Sequence, residues 1–264
     1  VSLTYLIEPA QMGRYNVVAR LIAVPNMVLI QTLLFAVSRP LAAQYGDGFP
    51  SFHALRRRGR RVALGLGGLT FVVFFGGADL LAAGLRDPSL ATPIRVVAPI
   101  SLVYALYAVN IGTLNAARRF GLQAGLDIFM AFTKMSLIVG AAALGFGLAS
   151  TLGGFTAASA AAMGLSVLLV GRVKPTAEQS DASSPILSHV VMLIGFTATV
   201  HLLTSTDLFL LKRYAVTDAQ ADAVGFYSSA QLVALVPYSL LAAVSLLIFP
   251  LIASLDRSRD AQIV

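Results

Sequence analysis

The chain contains no cysteine and no tryptophan. Without cysteine there is no disulfide framework, no thiol nucleophile and no cysteine-based zinc site. The compartment stays open, because a membrane span needs no disulfide. Charge is scarce too: 12% of residues are charged, about half the ~25% of an ordinary soluble domain. Also absent are a GxxxxGK phosphate loop, an HExxH zinc helix and a GxSxG nucleophile turn. The glycines at 65, 67 and 68 fall inside an apolar run and carry no phosphate-loop pattern. The chain is expected not to be an enzyme.

What is there is apolar length. Hydrophobic residues make up 57% of the chain, and mean hydropathy is +0.81. A bilayer core about 30 Å thick takes roughly 20 apolar residues of helix. On that measure spans are predicted at about 16–38, 62–85, 92–115, 121–148, 150–171, 185–211 and 225–253, with residues 1–6 as the tail of a truncated first span. The fold class is therefore all-α, a polytopic membrane bundle of about eight spans. A tight turn near Ser150–Gly154 is expected to part the fifth span from the sixth. The sixth is rich in Ala157, Ala158, Ala160, Ala161, Ala162 and Gly164, which favours close helix approach. The chain opens at Val1 without Met and stops at Val264 just past an apolar segment, so it is expected to be a piece of a longer protein with no signal peptide.

Loop charges set the orientation. The net charge of +7 would point to nucleic acid in a soluble protein. Here 12 of the 19 basic residues fall in alternate loops: Arg39 with Arg56, Arg57, Arg58, Arg60 and Arg61; Arg118 with Arg119; Arg172 with Lys174; and Arg257 with Arg259. Those loops are expected to face the cytoplasm, and no nucleic-acid partner is expected. The opposite side carries Arg14, Arg86, Arg95, Lys212 and Arg213, diluted by Glu8, Asp87, Asp218 and Asp222. A hydrophilic stretch over 174–184 is the clear linker, dividing an N-terminal lobe (1–173, spans one to six) from the start of a second (185–264).

A repeat underlies this division. Gly13, Tyr15 and Pro25 recur as Gly225, Tyr227 and Pro237, 212 residues on in each case. Val24/Val236, Leu29/Leu241 and Leu34/Leu246 match at the same offset. Six helices separate the copies, so both run the same way through the membrane. Parallel halves of this kind relate by an axis along the membrane normal, as in transporters built from two side-by-side bundles.

Three stretches carry a family resemblance: Thr204-Ser205-Thr206-Asp207-Leu208-Phe209-Leu210-Leu211, Gly225-Phe226-Tyr227-Ser228-Ser229-Ala230, and Phe249-Pro250-Leu251-Ile252. Together with Glu8-Pro9-Ala10-Gln11-Met12-Gly13-Arg14-Tyr15 they resemble the polysaccharide-transport branch of the multidrug/oligosaccharidyl-lipid/polysaccharide flippase superfamily. The resemblance covers essentially the whole chain, as the first eight or so of the family's twelve to fourteen helices. It implies a flippase that moves lipid-linked oligosaccharide, typically undecaprenyl-pyrophosphate-linked, across the bacterial cytoplasmic membrane by alternating access. Membrane lipids and polysaccharide assembly machinery are the implied partners, with no cofactor and coupling to H⁺ or Na⁺. A related fold carrying different cargo, a cation-coupled exporter of drugs or metabolites, is the alternative. A glycan polymerase or ligase would need a large catalytic outer loop, and the outer loops here are short. A fragment ending within the second half is not expected to transport by itself.

Ionisable side chains inside a bilayer cost several kcal/mol and usually face a cavity or a partner. Five qualify: Arg20, Asp127, Lys134, His201 and Asp207. A pyrophosphate headgroup needs fixed cationic donors, so Arg20 and Lys134 are the anionic-cargo candidates; for Arg20 the plainer role is snorkelling to the interface. Asp207, Asp127 and His201 are the ion-coupling candidates. Their plainer roles are interhelical pairing for Asp127, a pairing with Lys212 at i+5 for Asp207, and a packed, hydrogen-bonded ring for His201. Asp127 and Lys134 lie two turns apart on one face, ~10.5 Å along the axis, too far for a tight ion pair. Asn26, Gln31, Gln231 and Tyr238 offer polar groups to sugar hydroxyls, as do Asn110 and Asn115, although such groups are commonly interhelical contacts. Pro25 and Pro237 fall at matched depth and are hinge candidates. No metal site is expected.

Overall fold

The computed structural model describes residues 9–43, 52–171, 186–215, 217–237 and 241, and every regular element among these is helical. In chain order they are α1 (Pro9–Ala43), α2 (Phe52–Gly76), α3 (Ala78–Gly84), a 3-10 turn (Pro88–Leu90), α4 (Ala91–Val97), α5 (Pro99–Ala116), α6 (Phe120–Ala143), α7 (Leu148–Gly171) and α8 (Ile186–Tyr214). A further helix, α9, covers 218–237. Among the described residues six stretches are long and apolar enough to cross a membrane: Ala10–Ser38, Arg56–Gly76, Pro88–Ala116, Phe120–Ala143, Leu148–Gly171 and Ile194–Tyr214. Each overlaps one of the six expected spans from 16 to 211. The eighth expected span, 225–253, is described only to residue 237 and at 241, while residues 1–6 and the 174–184 linker lie outside the described residues.

Boundaries differ where backbone chemistry overrides hydropathy. The expected span 62–85 is two helices, because the chain turns at Gly77 between α2 and α3. Helix α2 also starts earlier, so Arg56–Arg61 belong to its first turns rather than to a loop, as Arg39 belongs to α1. Long arginine stems let a helix reach past the apolar layer with its charged heads in the interface. The expected span 92–115 is α4 followed by α5, parted at Ala98 by Pro99, which opens α5 without an N–H to donate. The turn expected at Ser150–Gly154 falls earlier, at 144–147. There Gly145 takes φ 72°, and its N–H donates to the Ala142 carbonyl at 3.1 Å while that of Phe146 donates to Ala141 at 3.0 Å. This left-handed glycine closes α6 and frees Ser150–Gly154 to be helical.

The span containing α4 and α5 is the centre: 67% of it is buried, against 17% for the α2 and α6 spans. Helix α1 lies across α5, α2 and α8, while α7 packs on α5, α4 and α6. One core joins Val17 and Ile22 of α1 to Ile94 of α4, Ile100 of α5, Leu152 of α7 and Leu208 of α8. A second joins Leu33, Val37 and Leu41 of α1 to Ala105 and Val109 of α5. Close approach rather than side-chain bulk holds α2 to α5: a Cβ on Gly67 would stand 2.7 Å from the Ala105 Cβ. Large apolar residues face outward on the peripheral helices, among them Leu69, Val72, Ile128, Phe132 and Leu168. Lipid is as apolar as they are, so this exposure carries no penalty in a bilayer. The arrangement leaves one end of the bundle basic, with the first turns of α2 and the end of α5. The starts of α1 and α9, the α3–α4 connection and the end of α8 gather at the other.

Candidate functional site

The two copies of the repeat meet at that second end. A Cβ on Gly13 of α1 would stand 3.1 Å from the Gly225 backbone nitrogen and 3.4 Å from the Ala221 carbonyl oxygen of α9. One turn further along, Asn16 Nδ2 donates to Ser228 Oγ at 2.7 Å, across 212 positions of sequence. The Ser228 hydroxyl also lies 2.9 Å from the Gly225 carbonyl, as donor to it. Gly13 and Gly225 share that offset. A residue touches its own symmetry mate only where a two-fold axis passes. The repeat is therefore also a contact between matched positions, the arrangement that a pseudo-two-fold axis between Gly13 and Gly225 would produce.

Beside the seam, three charges from distant parts of the chain share one carboxylate. Asp87 Oδ2, in the connection after α3, accepts from Arg14 Nε of α1 at 3.0 Å and from Lys212 Nζ in the last turn of α8 at 2.8 Å. Its Oδ1 accepts from the Ser89 backbone N–H at 3.2 Å and from the Ser89 hydroxyl at 2.5 Å. Both lysine and aspartate side chains are buried, 7% and 10% exposed. Burial alone would raise the Asp87 pKa, but the hydrogen bonds from Lys212 and Ser89, with the charges of Lys212 and Arg14, outweigh it and hold the carboxyl down at about 2. Next to Lys212, Arg213 Nη1 donates to the Gly84 carbonyl at 3.0 Å. The end of α8 is thus tied twice to the end of α3.

Deeper along α1, Arg20 lines a cavity of about 270 Å³ together with Val200, His201 and Thr204 of α8 and Leu232, Leu235 and Val236 of α9. One wall is cationic and polar, the other aliphatic. Asp207 lies one helical step outward on α8. Its Oδ2 accepts from Tyr227 Oη at 2.5 Å and from Gln231 Nε2 at 3.0 Å. Its Oδ1 accepts from the Leu208 backbone N–H at 2.8 Å. Asp207 does not pair with Lys212: positions i and i+5 lie about 140° apart around a helix, and Lys212 turns to Asp87 instead.

The structure brings Arg20 and His201 into one cavity, and Asp207 and Gln231 into one hydrogen-bonded group. It does not bring Lys134 to them. Lys134 Nζ sits 5.2 Å above the Phe155 ring, and Asp127 accepts from Tyr107 Oη of α5 at 3.1 Å, both at the α5–α6–α7 contact. Asn110 Nδ2 donates to Ser166 Oγ at 2.8 Å, a helix-to-helix tie. Asn26 is 1% exposed, and neither polar atom of its side chain has a partner among the described residues. Gln31 is half-buried on α1, and α1 stays helical through Pro25. Pro237 is exposed at the last turn described for α9, and Tyr238 lies outside the described residues. The sequence reading took Arg14 and Asp87 as loop charges and Lys212 as a loop charge or a partner of Asp207, and gave no role to Asn16 or, outside a family-like stretch, to Thr204. The 212-residue offset, carried from Gly13 to the neighbouring Asn16 and Ser228, was the signal that reaches the seam. No sequence spacing announces Asp87, because its partners lie 73 and 125 residues away.

A family described as polysaccharide biosynthesis protein matches residues 61–262. The chain belongs to that family. The match begins within the first turns of α2 and takes in α8 and α9, so the Lys212 and Ser228 sides of the contacts lie inside it, while Arg14, Asn16 and Arg20 precede it. No curated protein and no solved structure matches the chain.

Proposed function

We propose that this membrane protein of polysaccharide biosynthesis moves a lipid-linked oligosaccharide, of the undecaprenyl-pyrophosphate kind, across the bacterial cytoplasmic membrane by alternating access. The observation that carries the reading is the cavity of Arg20 and His201 between α1, α8 and α9, set just inside the seam where the repeat meets itself. A guanidinium in a low-dielectric cavity offers charge-assisted, bidentate hydrogen bonds to a phosphate group. The aliphatic wall of Leu232, Leu235 and Val236 suits a prenyl chain. In this reading residues 1–173 form one lobe, 185–264 begin the next, and the family membership supplies the polysaccharide context. Coupling to H⁺ or Na⁺ belongs to the same proposal, with His201 the ionisable group placed beside the cargo charge and the protein acting as a carrier rather than an enzyme.

The test is export of the glycan in cells whose only copy of the gene carries Arg20→Ala. Loss of one charge-assisted contact to a phosphate is expected to lower export about tenfold, with lipid-linked glycan accumulating on the inner leaflet. Arg20→Lys, which keeps the charge but not the bidentate fork, is expected to fall between the two. Unchanged export in Arg20→Ala would overturn the reading.

A further inference from the structure

We propose that Arg14, Asp87 and Lys212 form an ionic latch that holds the outer mouth of the Arg20 cavity shut, so that each passage of cargo to the outside requires Asp87 to let go of Lys212. The inference rests on the alternating-access reading above. It concerns how the seam is locked, not what the cavity carries.

Three observations place the latch. First, the seam covers the cavity from one side. Arg20 lies seven residues along α1 from Gly13, ~10 Å of helix rise, and Gly13 is packed so closely that a Cβ on it would stand 3.1 Å from the Gly225 nitrogen. Anything leaving the cavity at that end must part α1 from α9. Second, the contacts holding the end are polar and reversible: Asn16 to Ser228, Lys212 to Asp87, and Arg213 to the Gly84 carbonyl. Third, the end is the one opposite the Arg56–Arg61 cluster, which loop charge assigns to the outside.

The chemistry of the latch is asymmetric. Arg14 and Asp87 both belong to the N-terminal lobe, and Arg14 is 42% exposed. Lys212 belongs to α8, beyond the linker, and is 7% exposed. Opening the seam leaves the Arg14–Asp87 pair together and pulls Lys212 away, so the ammonium must find water as it leaves. Asp87 stays charged throughout, because Arg14 and Ser89 remain on it. Removing the carboxylate therefore unlocks the seam, whereas removing Arg14 leaves the lock in place but loosened.

The absence of native cysteine in these 264 residues allows a direct test in membranes. Asn16→Cys with Ser228→Cys places two thiols across the seam, and their cross-linking by a short bis-maleimide reads the fraction closed. With the latch intact, cross-linking is expected to be fast. In the Asp87→Asn background it is expected to slow severalfold, in Arg14→Gln by less, and in the exchanged pair Asp87→Lys with Lys212→Asp to recover at least partly. The exchange separates loss of the latch from loss of fold. Equal cross-linking with and without Asp87→Asn overturns the latch, as does glycan export that continues after the thiol pair is fully cross-linked. A cross-link that responds to Asp87→Asn while Arg20→Ala exports normally leaves the latch standing and removes the cargo reading.

Discussion

Asp87 holds two cations on a single oxygen, and the two are not worth the same. Lys212 is buried, so stripping its carboxylate leaves an ammonium with no counter-charge in a poorly hydrated place, a loss on the order of 3 kcal/mol for Asp87→Asn. Arg14 is partly solvated and its pair is screened, so Arg14→Gln should cost under ~1 kcal/mol. Thermal unfolding of the detergent-purified protein measures both, and equal losses would contradict the assignment. The sign with pH follows from the depressed carboxyl. Its folded pKa of about 2 lies below the ordinary 3.8, so the stabilisation is complete above 3.8 and is lost as pH falls through 2. Wild-type protein should therefore lose stability relative to Asp87→Asn between those values, and the gap between the two should be constant at higher pH. The same residue shows the limit of sequence reading: a lone Asp in a short outer loop carries no mark of the partner 125 positions away.

At the scale of elements, the spans were legible because the bilayer imposes a length and a composition on each helix, and both can be counted. The joints were not. Gly77 and Pro99 interrupt stretches that stay apolar throughout, so hydropathy runs through both breaks, and the joint after α6 was expected but placed a few residues late, because the positive φ of Gly145 sets it. Lateral packing was equally hidden, since a glycine facing a neighbour and one facing lipid look alike in sequence. Gly65 and Gly67 make the contrast two residues apart. A Cβ at Gly65 meets nothing within 4 Å, while one at Gly67 stands 2.7 Å from Ala105 Cβ and 3.1 Å from the Ser101 carbonyl oxygen. Gly67→Ala should force α2 off α5 at a cost of about 1–3 kcal/mol. Gly65→Ala should be neutral or slightly stabilising, because a helix gains from the loss of glycine's freedom. Midpoints of detergent or thermal unfolding for the two variants decide this, and parallel behaviour would place α2 elsewhere.

At the scale of the whole molecule, the repeat is the feature that sequence and structure share most directly. Counting helices between copies leads to the expectation of a parallel repeat, and the Gly13–Gly225 and Asn16–Ser228 contacts bring matched positions of the two copies together. Elsewhere the two copies diverge: Arg20 lines the cavity on α1, and its counterpart 212 residues on is Leu232, which lines the opposite wall. An axis through the seam but not through the charges yields a cavity with one cationic and one greasy side, which neither copy alone encodes. The symmetry has a consequence that a merely local packing defect would not. Because a Cβ on Gly13 would stand 3.1 Å from the Gly225 nitrogen, a leucine there wedges the two backbones apart, and a seam that is symmetric about these positions requires Gly225→Leu, 212 residues on, to act alike. With a single reporter thiol at Thr204→Cys on the cavity wall, both variants should raise labelling by a membrane-impermeant maleimide from outside, severalfold over the unwedged protein. If only one of them opens the cavity, or neither does, the seam is not the closure on the pseudo-two-fold axis and the parting of α1 from α9 is not the way out.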